Sequence, residues 1–508
     1  MASPTEKLAQ SLERLQELQG ERGTSALRSK ELLRADRERL LKNGFIQEVM
    51  KGWYIPSRPD ETRGESTAWY ACFWSFCASY LDERFGEDWC LSPEQSLTLY
   101  AGQRSVPKQL LVRATKANNN LVQLLYGTSI LDIQASLPET EDLFRVEGLN
   151  LFSLESALIA ASPSYFRLSP TDARAALSMV KHSSEILSRL LEGEHSSIAG
   201  RLAGAFRNIG RQRIADDILA SMKAAGYQVR ESDPFTDSSP LIFESRETSP
   251  HVNRIKLLWQ SMRESVIEHF PEAPGLPRAL KAYLKQVDDA YTTDAYNSLS
   301  IEGYQVTTEL IQRVRSGRWN PDDNEIDRAH RDAMAARGYW QCFQAVHDSV
   351  EAVLRRLNAG EVADRDHGNW YRELFAPSVN AGLLRPSDLA GYRNGQVFIR
   401  GSMHVPISSQ ALPDVMPVFF ELLESESNAA VRVVLGHFIF VYIHPYFDGN
   451  GRIGRFLMNV MLASGGYPWT VIPVEKKEAY MDALEAASVS QDIIPLSRFI
   501  AGLVSVDH

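Results

Sequence analysis

The chain has 508 residues, 44% of them hydrophobic and 23% charged, an ordinary globular composition with room for roughly two to four domains. A formal net charge of -10 argues against a wholesale nucleic-acid coat but leaves space for a locally basic module. Cys72, Cys77, Cys90 and Cys342 show neither a C-x-x-C pair nor paired metal spacing, so neither a disulfide framework nor a zinc site is indicated. The N-terminal stretch mixes Glu6, Lys7, Glu13 and Arg14 with scattered leucines and lacks the apolar core of a signal peptide. The longest apolar run, Val433 to Ile443, falls short of the roughly 20 residues that cross a bilayer. A soluble, cytoplasmic protein with no membrane segment is the expectation.

From the N-terminus, Leu8, Leu12, Leu15 and Leu18 fall at helical spacing, and a second helical pattern runs from about Ser29 to Lys42 before Asn43 and Gly44 stop it. Phe45–Val49 and Trp53–Ile55 flank Met50–Gly52 as a strand pair. Helices followed by a hairpin outline a winged helix over residues 1–57, and this stretch resembles the N-terminal module of abortive-infection-type antitoxins. Residues 146–148 and 153–158 extend that likeness. A helical arm with a packing hairpin is the equal alternative.

Residues 58–232 mix helical patterns with apolar runs at 121–125 and 129–133, which predicts an α+β middle domain. Arg201, Arg207, Arg211 and Arg213 form a basic cluster there, read first as a solvated helix face and second as a phosphate contact. Ser232 to Pro240, with Thr248-Ser249-Pro250, reads as a linker. Beyond it, residues 250–508 are mostly helical, broken by an extended piece near Gln396 to Val405.

The stretch that carries chemistry runs from His444 to Arg455. It joins an apolar helix opening at Asn428 to a second helix that Gly465, Gly466 and Pro468 end. Gly449 and Gly451 permit turns that expose backbone N–H groups, and the following helix points its positive end at the same loop, so an anion fits there. Arg452 and Arg455 share one side of that helix, Asp448 offers a hard oxygen beside the cradle, and His444 can take a proton near neutral pH.

These residues resemble the signature of Fic proteins: a His, a Pro, an acidic residue, Gly-Asn-Gly and two arginines at this spacing. Eight identities would coincide by chance at about 10⁻¹⁰ per starting point. Tyr446 departs from the family's usual Phe. The resemblance implies a protein adenylyltransferase that moves AMP from ATP to a Ser, Thr or Tyr hydroxyl of a target protein. It implies His444 as general base, Asp448 as Mg²⁺ ligand, and Asn450 with the loop amides on the α-phosphate. Arg452 and Arg455 would take the outer phosphates, with Gly449, Gly451 and Gly454 lining the nucleotide. Val397, Phe398, Ile399 and Arg400 resemble the family's flap, which registers a target segment as an added strand; a solvent-side hairpin is the alternative. Tyr480 stands where the family sets an aromatic residue against adenine, with a core tyrosine as the competing reading. Ser488 stands where relatives often offer Asn. His437 reads as a core histidine.

Ser298, Glu302 and Gly303 resemble the family's inhibitory helix, expected around 286–304. In that reading Glu302 occupies Arg455 and restrains the enzyme. The expected fold is mainly α, an all-α Fic domain with a short β-hairpin flap behind the winged-helix-like and α+β segments. One rival is removal of AMP, or transfer of another phosphate-containing group, by the same site. The rival of another class is a DNA-binding regulator or antitoxin-like protein, for which Arg28, Lys30, Arg34, Arg37, Arg39 and Lys42 would meet phosphates, balanced by Glu31, Asp36 and Glu38. Self-modification and a homodimer are left open.

Overall fold

The computed structural model describes residues 3–22, 26–59, 66–193, 195–235, 249–317 and 331–505. Residues 236–248, most of the expected linker, lie outside the described residues. The chain is mainly α, and its described strands all fall before residue 153. It divides into two compact units, Met1–Arg254 with Phe398–Val405, and Ile255–Val397 with Pro406–His508.

In the first unit, α1 (Pro4–Arg22) is followed by β1 (Leu27–Arg28), α2 (Arg34–Lys42), β2 (Ile46–Met50) and β3 (Trp53–Pro56). Leu15 packs with Leu27, Leu40, Ile46 and Tyr54, with Leu8, Leu12 and Leu18 alongside, which is the stripe that the leucine spacing predicts. The strands form an antiparallel sheet in the order β1-β3-β2, with Glu48 opposite Tyr54. The predicted strand pair is therefore present. Gly52, at φ 86, makes its turn possible.

Next come α3 (Thr67–Phe85), β4 (Trp89–Leu91), α4 (Pro93–Tyr100), β5 (Gln109–Ala114), β6 (Leu121–Gln123) and β7 (Ser129–Gln134), with sheet order β4-β5-β7-β6 and a parallel β5/β7 pair. Trp69, Phe76, Trp89, Val112 and Ile130 form the core of this layer. The hairpin β8 (Leu143–Val146) and β9 (Leu149–Phe152) leads into α5 (Leu154–Ala160), which Ser153 caps by accepting the Ser156 N–H. Helices α6 (Pro163–Leu168), α7 (Pro170–Met179), α8 (Ser184–Glu192), α9 (Ser196–Asn208) and α10 (Gln212–Ala224) enclose a second core around Phe166, Leu177, Leu202 and Ile218.

The second unit is helical. It holds α11 (Pro250–His269), whose first residues to Arg254 group with the other unit, then α12 (Leu280–Ile301), α13 (Thr308–Arg315), α14 (Arg331–Leu354) and α15 (Ala359–Asn380). These are followed by α16 (Leu412–Ser425), α17 (Ala429–Ile443), α18 (Asn450–Gly465), α19 (Lys477–Ser490) and α20 (Ile494–Val504). The centre is α17, capped by the Asn428 side chain and buried on all sides through Val433, Leu435, Phe438, Ile439 and Phe440. Truncating Phe440 to Ala would cost about 3–5 kcal/mol. At Gly338 a Cβ would lie 1.9 Å from the Leu374 carbonyl oxygen, so α14 and α15 touch backbone to side-chain-free backbone. Phe375, next along α15, packs against Gly449 of the loop, where a Cβ would come within 2.7 Å of its ring. No described helix is long and apolar enough to cross a membrane.

Candidate active site

The loop between α17 and α18 is held from several sides. His444 closes α17 in the left-handed region, φ 56, a conformation that costs an L-residue about 1–2 kcal/mol. Arg393, itself 2% exposed, holds this end of the loop: Nε donates to the His444 carbonyl at 2.8 Å, other guanidinium N–H groups donate to the Gly395, Ile407 and Ile443 carbonyls, and its backbone N–H donates to Pro445. Tyr446 stacks flat on Tyr371, ring centroids 3.9 Å apart, so the Phe-to-Tyr departure keeps an aromatic floor. Asn450 Oδ1 accepts the Tyr446 N–H and its Nδ2 donates one N–H to the Tyr446 carbonyl, so the amide fastens the loop and keeps its second N–H for another acceptor.

His444 Nδ1 lies 3.2 Å from the Val441 carbonyl, which can only accept, so Nδ1 carries the proton and Nε2 is left as the acceptor. Burial pushes the imidazole pKa down to about 4, and the Arg393 charge adds to this against opposing contributions from Val441, Glu302 and Asp448. The ring is a neutral base at neutral pH.

The two arginines of the motif lie below the loop. Arg455, with 5% of its side chain exposed, donates from Nε to Ser298 Oγ at 2.9 Å, and from Nη2 to the Ser298 carbonyl at 3.1 Å and to Glu302 Oε1 at 2.7 Å. Ser298 and Glu302 are one helical turn apart on α12, which is why both reach one guanidinium. A Cβ on Gly451 would lie 2.4 Å from Glu302 Oε1, so this carboxylate rests on the first turn of α18, where the free N–H groups and positive end favour an anion. Gly303, at φ 87, ends α12 with its N–H on the Ser300 carbonyl and the Tyr304 N–H on Leu299, a left-handed terminus that suits glycine.

Arg452 is 1% exposed in its side chain, donates to Asp448 at 3.1 Å, and lies against the rings of Tyr304 and Phe375. Asp448, 62% exposed, also accepts the Gly449 N–H. Among the described residues no group of three or more His, Cys, Asp or Glu converges to hold an ion. One exposed carboxylate at the cradle mouth is too little for an all-protein metal site, but it fits a Mg²⁺ that arrives on phosphates and keeps several waters.

Other expected positions fall elsewhere. Gly454 sits about 100° round α18 from Arg455 and faces α17, where a Cβ would come 3.0 Å from Val441; it is a packing glycine. Tyr480 is 1% exposed, with its hydroxyl 2.7 Å from His437 Nε2 and its ring beside His437 and Phe499, so the core reading describes it. His437 is fully buried as expected, its other nitrogen 2.9 Å from the Gly454 carbonyl. Residues 396–405 form no strand: the Gln396 side chain bridges to the Pro406 carbonyl at 2.8 Å in place of a ladder, and Gly401, φ 72, turns the tip. Val397 groups with the second unit and Phe398, Ile399 and Arg400 with the first, in which the Val106 N–H donates to the Met403 carbonyl.

Five of the six cations named on the basic arm have partners within the first unit. Arg28 pairs with Glu31 and Glu83, Lys30 with Glu83, Arg34 with Glu38 and Arg39 with Asp36, while Arg37 donates to the Ser29 carbonyl. Arg207 pairs with Glu231 and Asp216, in keeping with a solvated face. Arg393, Tyr304, Phe375 and the buried pair Asp294 and Tyr339, 2.7 Å apart behind Ser298, were not singled out from sequence. Gly391-Tyr392-Arg393 has no spacing of its own to mark it, and the aromatics read as ordinary helix core.

Residues 365–462 match the model of the Fic/DOC family. Protein adenylyltransferase Fic of Drosophila willistoni is 29% identical over 236 residues, covering 45% of this chain and 43% of the relative. The protein of the same name from Drosophila virilis is 30% identical over 236 residues, covering 45% and 44%. The chain thus spans under half the length of these curated relatives. Fic-1 (aa134–508) from C. elegans, a solved structure, aligns with 15% identity and a TM-score of 0.37 over 70% of this chain and 89% of its own. With its loop between two buried helices and its match over residues 365–462, the chain carries a Fic domain of the Fic/DOC family.

Proposed function

We propose that the chain is a protein adenylyltransferase that transfers AMP from ATP to a hydroxyl of a protein and is restrained by Glu302. The observation that carries this reading is the acceptor Nε2 of His444 at the head of a loop whose cradle already holds an anion, the Glu302 carboxylate resting over Gly451. The curated relatives are named for the same activity. His444 Nε2 takes the proton of the acceptor hydroxyl as its oxygen attacks the α-phosphorus; the bond to the bridging oxygen breaks and pyrophosphate leaves. The loop N–H groups and Arg452 meet the charge that grows on the phosphates, and Arg455 joins them once Glu302 has swung off it. Asp448 would hold a Mg²⁺ that arrives with the nucleotide, an ion that would supply neutralisation of phosphate charge.

Incubation with α-labelled ATP and Mg²⁺ tests this: label on protein with release of pyrophosphate is expected, and label from the γ-position instead would overturn it. A second reading has its own support, because a carboxylate at the cradle can also orient a water. AMP released from a modified protein by wild type, and lost in Glu302→Gly, would favour it.

A further inference from the structure

Past Glu302, the turn at Gly303 sets the ring of Tyr304 with its centroid 5.2 Å from the guanidinium carbon of Arg452, and Phe375 lies 5.0 Å from the same carbon. Arg331 lies over the same tyrosine ring at 5.0 Å. Two aromatic rings against one buried guanidinium restrict its tilt, and the attraction of a cation to a ring face is strongest where water is excluded. Arg452 Nε is buried with no partner among the described residues, so this cation retains hydrogen-bonding capacity beyond Asp448.

We propose that Tyr304 is a positioning residue for Arg452, which with Phe375 holds the guanidinium at the angle that addresses the outer phosphates of the nucleotide. The proposal rests on the adenylyltransferase reading. It gives the end of α12 two opposed roles: Glu302 occupies Arg455, while two residues on, Tyr304 prepares Arg452. Release of the restraint then requires Glu302 to swing aside while the backbone stays, because departure of the whole segment would also remove the ring from Arg452.

The test uses the full chain in the Glu302→Gly background, with calorimetric titration of ATP in Mg²⁺ and of AMP. Adding Tyr304→Ala should weaken ATP about 5- to 10-fold and leave AMP within about 2-fold, since AMP lacks the outer phosphates. Tyr304→Phe should restore ATP binding, because the ring face rather than the hydroxyl acts. The KM for ATP should rise by the same factor with kcat nearly constant. Equal losses for ATP and AMP would reduce Tyr304 to packing, and unchanged ATP binding would remove the proposal. A Tyr304→Ala chain that retains Glu302 yet transfers label as fast as Glu302→Gly would make the tyrosine part of the restraint, also against it. If Glu302→Gly binds ATP but labels no protein, the adenylyltransferase reading fails, while the titrations still report on Tyr304.

Discussion

Two groups of arginines in this chain have opposite surroundings. Those of the N-terminal arm are surface cations matched by nearby carboxylates: Arg34 by Glu38 one turn on, and Arg28 by Glu31 and Glu83. Those of the loop are buried, and Arg452 Nε and Arg455 Nη1 still lack partners among the described residues. Burying a donor without a partner costs about 1–3 kcal/mol, which a fold tolerates where a ligand or water supplies the bond. Counting cations along the sequence would rank the arm first as an anion site; local environment reverses that order.

The contrast can be broken most severely at His444. His444→Ala should lower AMP transfer by about 10²- to 10⁴-fold in an α-label assay while ATP titrates nearly as before, because a general base acts on the acceptor. In the active protein, the acid limb of kcat/KM should fall near pH 4, since burial keeps His444 neutral above that value. A limb near 6.5 would mean that the base titrates in the open. Glu302→Gly should raise transfer by about 100-fold, because freeing Arg455 lets the outer phosphates settle in line for attack. An effect within about 2-fold would leave Glu302 an ordinary helix-end carboxylate.

Smaller effects sharpen the comparison. Asp294, behind Ser298, has its pKa raised to about 6 by burial, against the opposing Tyr339 hydrogen bond and Arg455 charge. The folded state therefore holds a proton that the unfolded chain releases near 4, and wild type should lose stability relative to Asp294→Asn as pH rises from about 4 to 6. The change should be on the order of 1–3 kcal/mol by denaturant titration, and a flat difference would place the carboxylate in a wetter setting. The least effect belongs to Arg207→Ala, a half-exposed pair member, for which denaturant midpoints should shift by under about 0.5 kcal/mol. A loss comparable to a core truncation would mean that this cluster is not a solvated face.

The sequence by itself determined the local features whose cause is local. Leucine spacing set α1, Asn428 and Gly466 set the start of α17 and the end of α18, and glycine at 449 allowed the left-handed residue, φ 80, that opens α18. The one-turn separation of Ser298 and Glu302 was also enough to place both on one side of α12, and both reach Arg455. Tertiary structure alone decided which polar groups remained available. Asn450 has the right chemistry for a phosphate, but the Tyr446 backbone takes its oxygen and one of its two N–H groups. Tyr480 has the right ring for adenine, yet packing closes it against His437 and Phe499. Arg393, Tyr304 and Phe375 meet the loop only through chain crossings of 50 to 150 residues, and no periodicity records an encounter of that range. A side chain's chemistry is written in its own residue, while its availability depends on every neighbour that competes for it.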